Sequence, residues 1–394
     1  MDRNAIRALA ASIAPDVTAW RRHLHQHPEL SFEEKETASF VTERLIEMGY
    51  EPRTGVGGGY GVVAVLEGGK PGPTIALRAD MDALPIHEAT GLDFASTRPG
   101  KMHACGHDAH TSVLLGAAKA LKQIQGEVAG RVVFLFQPAE EKPPGGAKGM
   151  VEAGVLDGVD AVFGLHVSNP VETGKIGFRA GPVNAASDTF KVTLYGKGGH
   201  AAYPHNTVDP MVMLAAAIQA AQSIVSRNVD PTASAVLTIG WVRGGEADNI
   251  IPEQVEFGGT VRTFDPKVQE LVHARLKAAM EGVAAAHGGR AEVISTYGYP
   301  ALHNDEKATE VARRAAALVL GEENTTEPPA GMGGEDFAYF ALARPASFAR
   351  LGTGTPGTAA IPAHNPRFVI NEASFEVGVA YYISLALNAA ELMK

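Results

Sequence analysis

The sequence predicts an α/β chain built on a mostly parallel central sheet and carrying an inserted ferredoxin-like α+β domain. Two patterns predict it. Up to about residue 182, apolar runs rich in Val, Ile and Leu alternate with helical segments, the order of a parallel sheet covered by helices. From about 183 the order becomes strand, helix, strand, strand, helix, strand, which is the order of a ferredoxin-like unit. After Pro300 the first texture returns, so the expected domains are residues 1–182 with 299–394, discontinuous, and 183–298 as the insert.

Composition sets the outer limits. The chain has 394 residues, 45% of them hydrophobic and 20% charged, the balance of a globular protein with room for two cores. Thirty-four basic residues against 44 acidic ones give a net charge of −10 without a block of like charge, which argues against nucleic acid as a partner. The single cysteine cannot form an internal disulfide. The opening MDRNAIRALAASIAPDV carries early charges and a proline, unlike a signal peptide, and MVMLAAAIQAAQSIV is interrupted by Gln219 and Gln222 and too short for a membrane span. These features lead to the expectation of a cytoplasmic protein of enzyme size with no membrane partner.

In chain order, residues 4–27 read as a helix broken at Pro15, and Ser31-Phe32-Glu33-Glu34 reads as a capping box opening a helix that runs to about Met48. His23, His25 and His27 alternate, so a helix points them in different directions and they take surface or packing roles. The runs 61–68, 74–82, 131–141 and 160–167 read as buried strands, separated by helices at 109–124 and near 145–153. In the insert, SDTFKVTLYGKGGHAA, ASAVLTIGWVRGG, EQVEFGGTVRTFD and RAEVISTYG read as strands, with VDPMVMLAAAIQAAQSIVSR and PKVQELVHARLKAAMEGVAAAHG as long helices. The last third offers a helix at 305–320, the loop GMGGEDF, a strand at 347–354, an irregular loop holding His364, and a closing helix from about 372 to 392.

The chemistry-bearing residues fall at strand ends. Asp80 and Asp82 end the second run, Glu140 and Glu141 follow the third, and His166 ends the fourth. Open α/β sheets bind ligands outside the carboxyl ends of their strands, so these residues share one rim with the loop His103-Ala104-Cys105-Gly106-His107 that opens a helix. A thiolate and imidazoles are favoured ligands of zinc and similar cations. A metal lowers the pKa of a bound water, and a carboxylate outside the metal shell can move its proton, so adjacent Glu140 and Glu141 can divide the two tasks. Each residue alone has a plainer reading: Cys105 as a small buried hydrophobe, the Glu pair as a solvated acidic patch, His166 as a core histidine, His364 as a loop residue in water. A thiol nucleophile at Cys105 with a nearby histidine is a further alternative, but it leaves Glu140, Glu141 and His166 without work.

HACGHDAH, FQPAEE, GLHV, GGHAAYPH, MGGEDFAYF and AHN, in this order, resemble the two-domain metal-dependent aminoacylase and carboxypeptidase family. Within it they are most similar to the amidohydrolase branch that includes hippurate hydrolases, N-acyl-amino-acid amidohydrolases and plant auxin-conjugate hydrolases. The resemblance implies a metallo-peptidase-like catalytic domain and makes the insert a lid and dimerisation domain. It implies two divalent ions per subunit (Zn, Mn, Co or Ni) held by Cys105, His107, Glu141, His166 and His364, with Glu140 as general base and then acid. It also implies that His200 polarises the scissile carbonyl in a neighbouring subunit's site, and that Asn249 and Arg262 meet the substrate's α-carboxylate. Where other branches carry His-x-Asp, this chain has Asp80-Met81-Asp82. Asp80 is therefore not expected to be a ligand, and Asp82 is expected to orient a histidine ligand. The implied activity is release of a free amino acid from an N-acyl amino acid by a homodimer or larger homo-oligomer. The alternative is a non-catalytic ligand-binding or scaffold protein on the same fold.

Overall fold

The computed structural model describes all 394 residues. They form two compact units: Met1–Val183 with His303–Ala330 and Asp336–Lys394, and Asn184–Leu302 with Gly331–Glu335. The short Gly331–Glu335 segment, which the sequence placed with the first unit, groups with the second because Gly333 O accepts from Ala185 N.

The first unit is organised on an eight-stranded sheet whose four central strands, Ala129–Gln137, Lys70–Asp80, Ala161–Glu172 and Ala346–Gly354, are parallel neighbours in that order. An antiparallel strand, Gly61–Glu67, continues the sheet beyond Ala129–Gln137. From Thr74 to Asp80 every residue is buried, the condition of a strand covered on both faces. Helices Arg3–Gln26, His107–Gln123, Glu306–Leu320 and Ser374–Leu392 pack together and share the core with the sheet.

Local signals in this unit failed at three places, each overridden by tertiary packing. Pro15 does not break the first helix, which is continuous from Arg3 to Gln26. Its buried stripe of Ile6, Ala10, Ile13, Val17, Arg21 and Leu24 runs through the proline and outweighs an interior-proline cost of about 3 kcal/mol. The capping box at Ser31 does not form. The helix runs Lys35–Glu47 without a side-chain cap from Glu34, and Ser31 Oγ donates to Asp82 Oδ2 at 2.6 Å. The Glu29 carboxylate caps instead, accepting from Glu36 N, Thr37 N and Thr37 Oγ1 at 3.1, 2.8 and 2.9 Å. His166 does not end its strand either, because pairing with Ala346–Gly354 carries the strand on to Glu172.

The second unit holds a four-stranded antiparallel sheet in the order Ala235–Arg243, Gln254–Thr263, Ala186–Tyr195, Arg290–Thr296. Helices Pro210–Asn228 and Pro266–Ala286 close one core with it, Met213, Ala217, Ala221, Val272, Leu276 and Met280 meeting Phe190, Val192, Leu194, Val255, Phe257 and Val261. Each helix starts on an aspartate, Asp209 or Asp265, whose side chain accepts from the second helical N–H, with proline at the first helical position where no donor is needed. No helix of the chain is long and apolar enough to cross a membrane.

Candidate metal centre

The carboxyl ends of the central strands of the first unit bring Cys105, His107, Glu140, Glu141, His166 and His364 together. Their ligand atoms form overlapping groups lying within 4.8 Å of one another: Cys105, His107 and His166; Cys105, Glu141 and His364; His107, Glu140 and Glu141. Cys105 Sγ is 3.4 Å from His166 Nε2, Glu141 Oε1 is 3.8 Å from His107 Nε2, and Glu141 Oε1 is 3.3 Å from His364 Nε2. Ligands 2.0–2.3 Å from a tetrahedral ion are separated by about 3.3–3.8 Å, so these spacings suit a shared cation.

Backbone and neighbouring side chains fix which nitrogen each imidazole turns inward. His166 Nδ1 lies 2.7 Å from Val167 O, which can only accept, so Nδ1 carries the proton and Nε2 presents its lone pair toward Cys105. His107 Nδ1 lies 3.2 Å from Asp82 Oδ1, which leaves its Nε2 turned toward Glu141. His107 Nε2 and Glu141 Oε1 are both buried without a hydrogen-bond partner, a state that costs free energy unless something else ligates them. A divalent cation would satisfy both atoms, and the sulfur, nitrogen and carboxylate donors are those that zinc, manganese, cobalt and nickel accept.

Asp82 is the keystone of this rim. Its fully buried carboxylate accepts from His107 Nδ1, Ser31 Oγ, Glu140 N and Glu141 N, the last two at 2.9 Å, so one residue fixes both a histidine and the glutamate pair. Burial opposes the Asp82 anion, but the bonds from His107, Ser31 and the Glu141 amide hold its pKa below the ordinary value. Backbone strain gathers at the same place. The chain has three non-glycine residues with left-handed φ: Phe32 next to Ser31, Ala139 next to Glu140, and His364 itself. Such conformations cost about 1–3 kcal/mol each and persist where surrounding contacts enforce them. Ala139 N is held by Glu34 Oε1 at 2.7 Å, and His364 N by Ala104 O at 2.8 Å. Gly106 has φ +88°, and a Cβ there would lie 2.5 Å from Val167 Cγ2, so only glycine allows Cys105 and His107 to approach this strand together.

The groups polarise one another. Burial, then Glu141, pushes the Cys105 thiol up. Burial disfavours the His107 cation, yet Asp80, Cys105 and Asp82 raise its pKa well above the usual range. The Cys105 sulfur and the Glu141 carboxylate beside it lift His364 to about 10, whereas burial, His110 and Arg350 lower His166. Cation binding requires these thiol and imidazole protons to leave, so it releases protons and strengthens with pH.

The three remaining expected residues belong to the second unit. His200 lies exposed on a short strand paired with Ile250–Ile251, its Nδ1 accepting from Ala202 N at 3.1 Å, and Ala201 N donates to Asn249 O at 3.0 Å. Arg262 stands in the central strand Gln254–Thr263, opposite Ser187 and Val236.

A buried network that no motif announces lies beneath the rim. Arg78, fully buried, donates to Gln137 Oε1, Asp80 Oδ2 and Asp336 Oδ1 at 2.8, 2.7 and 3.0 Å. Asp80 Oδ1 lies 2.5 Å from His110 Nδ1. Asp336, from the GMGGEDF loop, also accepts from Gln137 Nε2 and Ala147 N. The available signal was an arginine inside an apolar strand, which is stable only when paired.

Residues 76–388 match the model of peptidase family M20/M25/M40. The chain is 46% identical over 363 residues to an N-acetyl-L-cysteine deacetylase of Bacillus subtilis, covering 92% of this chain and 85% of that protein. It is 47% identical over 312 residues to an N-acyl-L-amino acid amidohydrolase of Geobacillus stearothermophilus, covering 78% and 83%. Among solved structures, a dinuclear metal-binding peptidase of Bacillus subtilis superposes with a TM-score of 0.84 at 37% identity over 97% of this chain and 99% of that one. On the family match and on identities of this size, the chain belongs to peptidase family M20/M25/M40.

Proposed function

We propose that the protein is a metal-dependent amidohydrolase that cleaves N-acyl amino acids to a carboxylic acid and a free amino acid, and that Cys105, His107, Glu141, His166 and His364 hold its two divalent cations. The observation that carries the metal reading is the pair of buried, unbonded ligand atoms, His107 Nε2 and Glu141 Oε1, beside the Cys105 thiol. The substrate class rests on the deacetylase and amidohydrolase relatives at 46% and 47% identity.

When bound, the cations would supply Lewis acidity, making a water more acidic and the acyl carbon more electrophilic near neutral pH. Glu140 is 7% exposed, its amide donates to Asp82, and its Oε2 lies 4.0 Å from His107 Nε2, beside the proposed ligands. It takes a proton from the attacking water and delivers one to the departing nitrogen, so that the C–N bond breaks with neutral amine as leaving group. His200 of a neighbouring subunit donates to the oxyanion that develops on the amide oxygen, a contribution of about 3 kcal/mol for one positioned donor. Asn249 and Arg262 bind the α-carboxylate, with Arg262 providing its charge. A cytoplasmic homodimer belongs to the same proposal: Ala235–Arg243 is an edge strand with Val236 and Val242 exposed, open to pairing with a second copy.

The test is amino acid release from hippurate and from N-acetyl amino acids with added Mn, Co or Zn, with and without chelator. Release that a chelator abolishes and metal restores supports the proposal; turnover that is indifferent to chelator, or no turnover of any N-acyl amino acid, overturns it.

A further inference from the structure

We infer that His110 is a positioning residue, which sets the His166 imidazole for metal binding through the peptide that joins His166 to Val167. The inference rests on the metal centre proposed above.

The need for it arises in the sheet. The strand Ala161–Glu172 is paired with Lys70–Asp80 only from Ala161 to Gly164, while its other edge stays paired with Ala346–Gly354 past His166. Beyond Gly164, a backbone donor on the first edge has no strand partner and must find another acceptor. His110 provides it: Val167 N donates to His110 Nε2 at 2.9 Å. Val167 O in turn accepts from His166 Nδ1 at 2.7 Å. The residue after His166 is thus held at its N–H by one imidazole and at its carbonyl by the other, and this sets the direction in which His166 Nε2 faces Cys105.

The role also fixes the chemical form of His110. Accepting from an N–H requires a bare Nε2, so the ring is neutral and its Nδ1–H donates to Asp80 Oδ1 at 2.5 Å. Asp80 is held by the Arg78 guanidinium, which is itself anchored on Asp336 and Gln137. The chain Asp336, Arg78, Asp80, His110, Val167 and His166 gives the buried ion pairs beneath the rim a task, and explains an aspartate where relatives of other branches were expected to place a ligand.

Two substitutions divide the two ends of His110. In His110→Gln, the side-chain oxygen reaches the Nε2 position and keeps the acceptor for Val167 N while giving up the Asp80 bond. In His110→Asn, the amide keeps the donor to Asp80 but cannot reach Val167. Thr111→Val, which removes the Thr111 Oγ1 bond to Asp80 O, is the control for a merely structural loss on the same helical turn. The metal-free proteins are titrated with Co(II), following the thiolate-to-cobalt charge-transfer band of Cys105 and competing with a chelator. Expected are a Co(II) affinity about 10–100-fold weaker with an altered band in His110→Asn, values within a few-fold of wild type in His110→Gln, and an unaltered band in Thr111→Val. Wild-type affinity and band in His110→Asn overturn the inference. So does a loss in His110→Gln as large as in His110→Asn, and should His110→Asn fail to fold, a tenfold or greater loss in His110→Gln alone overturns it while retention supports it. Absence of the band from wild-type protein overturns the metal centre itself, and the inference with it.

Discussion

Replacing Asp82 by asparagine tests how the rim is built. Its two carboxylate oxygens serve four donors, His107 Nδ1 and Glu140 N on Oδ1, Ser31 Oγ and Glu141 N on Oδ2. Asparagine has one accepting oxygen. Its best orientation leaves the oxygen to His107 and Glu140 and turns the NH2 toward Ser31, whose hydroxyl can reverse and accept. Glu141 N–H then faces another donor, and the remaining bonds lose the help of a full negative charge. Hydrogen bonds to charged groups contribute about 1.5–3 kcal/mol each, so one lost bond and weakened neighbours amount to about 2–3 kcal/mol. Metal affinity falls about 10–100-fold, the usual effect of disturbing a partner that orients a ligand. The chain has two tryptophans, and Trp20 lies in the first unit while Trp241 lies in the second. Urea unfolding of the metal-free protein in a Trp241→Phe background therefore reads the first unit through Trp20. A stability change under about 0.5 kcal/mol together with unaltered metal affinity would refute this reading of Asp82.

Three further outcomes follow from the same contacts. Glu140→Ala is expected to keep its metal, measured by elemental analysis, and to lose about 10²–10⁴-fold in kcat, whereas Glu141→Ala loses metal as well; equal metal content and equal turnover in both would contradict the division of labour. Burial, then Asp82, raises Glu34 to about 7, so the folded state favours its neutral form: the stabilisation is complete below the ordinary carboxyl value and is lost as pH rises through about 7. Glu34→Gln imitates the neutral form, and in metal-free protein its stability relative to wild type should climb by up to about 3 kcal/mol between pH 4.5 and pH 7 and beyond; a flat difference over that range contradicts it. Gly106→Ala, at φ +88° with its Cβ against Val167 Cγ2, should destabilise by more than the ~1–2 kcal/mol of a left-handed alanine, and Val167→Ala in the same chain should recover the excess in thermal unfolding.

Legibility followed the range of the interactions. The parallel strands could be read because Gly61–Glu67, Lys70–Asp80 and Ala129–Gln137 are apolar runs bounded by turn residues, a signal carried by each segment alone. The candidate cluster was legible because its members sit at strand ends or in motifs, and the structure gathers Cys105, His107, Glu141, His166 and His364 at one rim. What failed was local grammar overruled from a distance. Ser31 has the right spacing to cap the next helix, but Asp82 lies 51 residues away in sequence and takes its hydroxyl, leaving the cap to Glu29. Pro15 has the right chemistry to end a helix, but the core holds the helix on both sides of it. His110 and Asp336 fall inside the motifs HACGHDAH and MGGEDFAYF, but their roles were not legible because their partners, Val167 and Arg78, are 57 and 258 positions away.

The most direct measurement is anomalous diffraction from crystals grown with zinc. The account predicts two anomalous peaks, with Cys105 Sγ about 2.3 Å from one of them and the nitrogens of His107, His166 and His364 at about 2.0–2.1 Å from one or other. Zinc bound elsewhere with none against the Cys105 sulfur, or a single peak that leaves Glu141 and His364 without an ion, would contradict it.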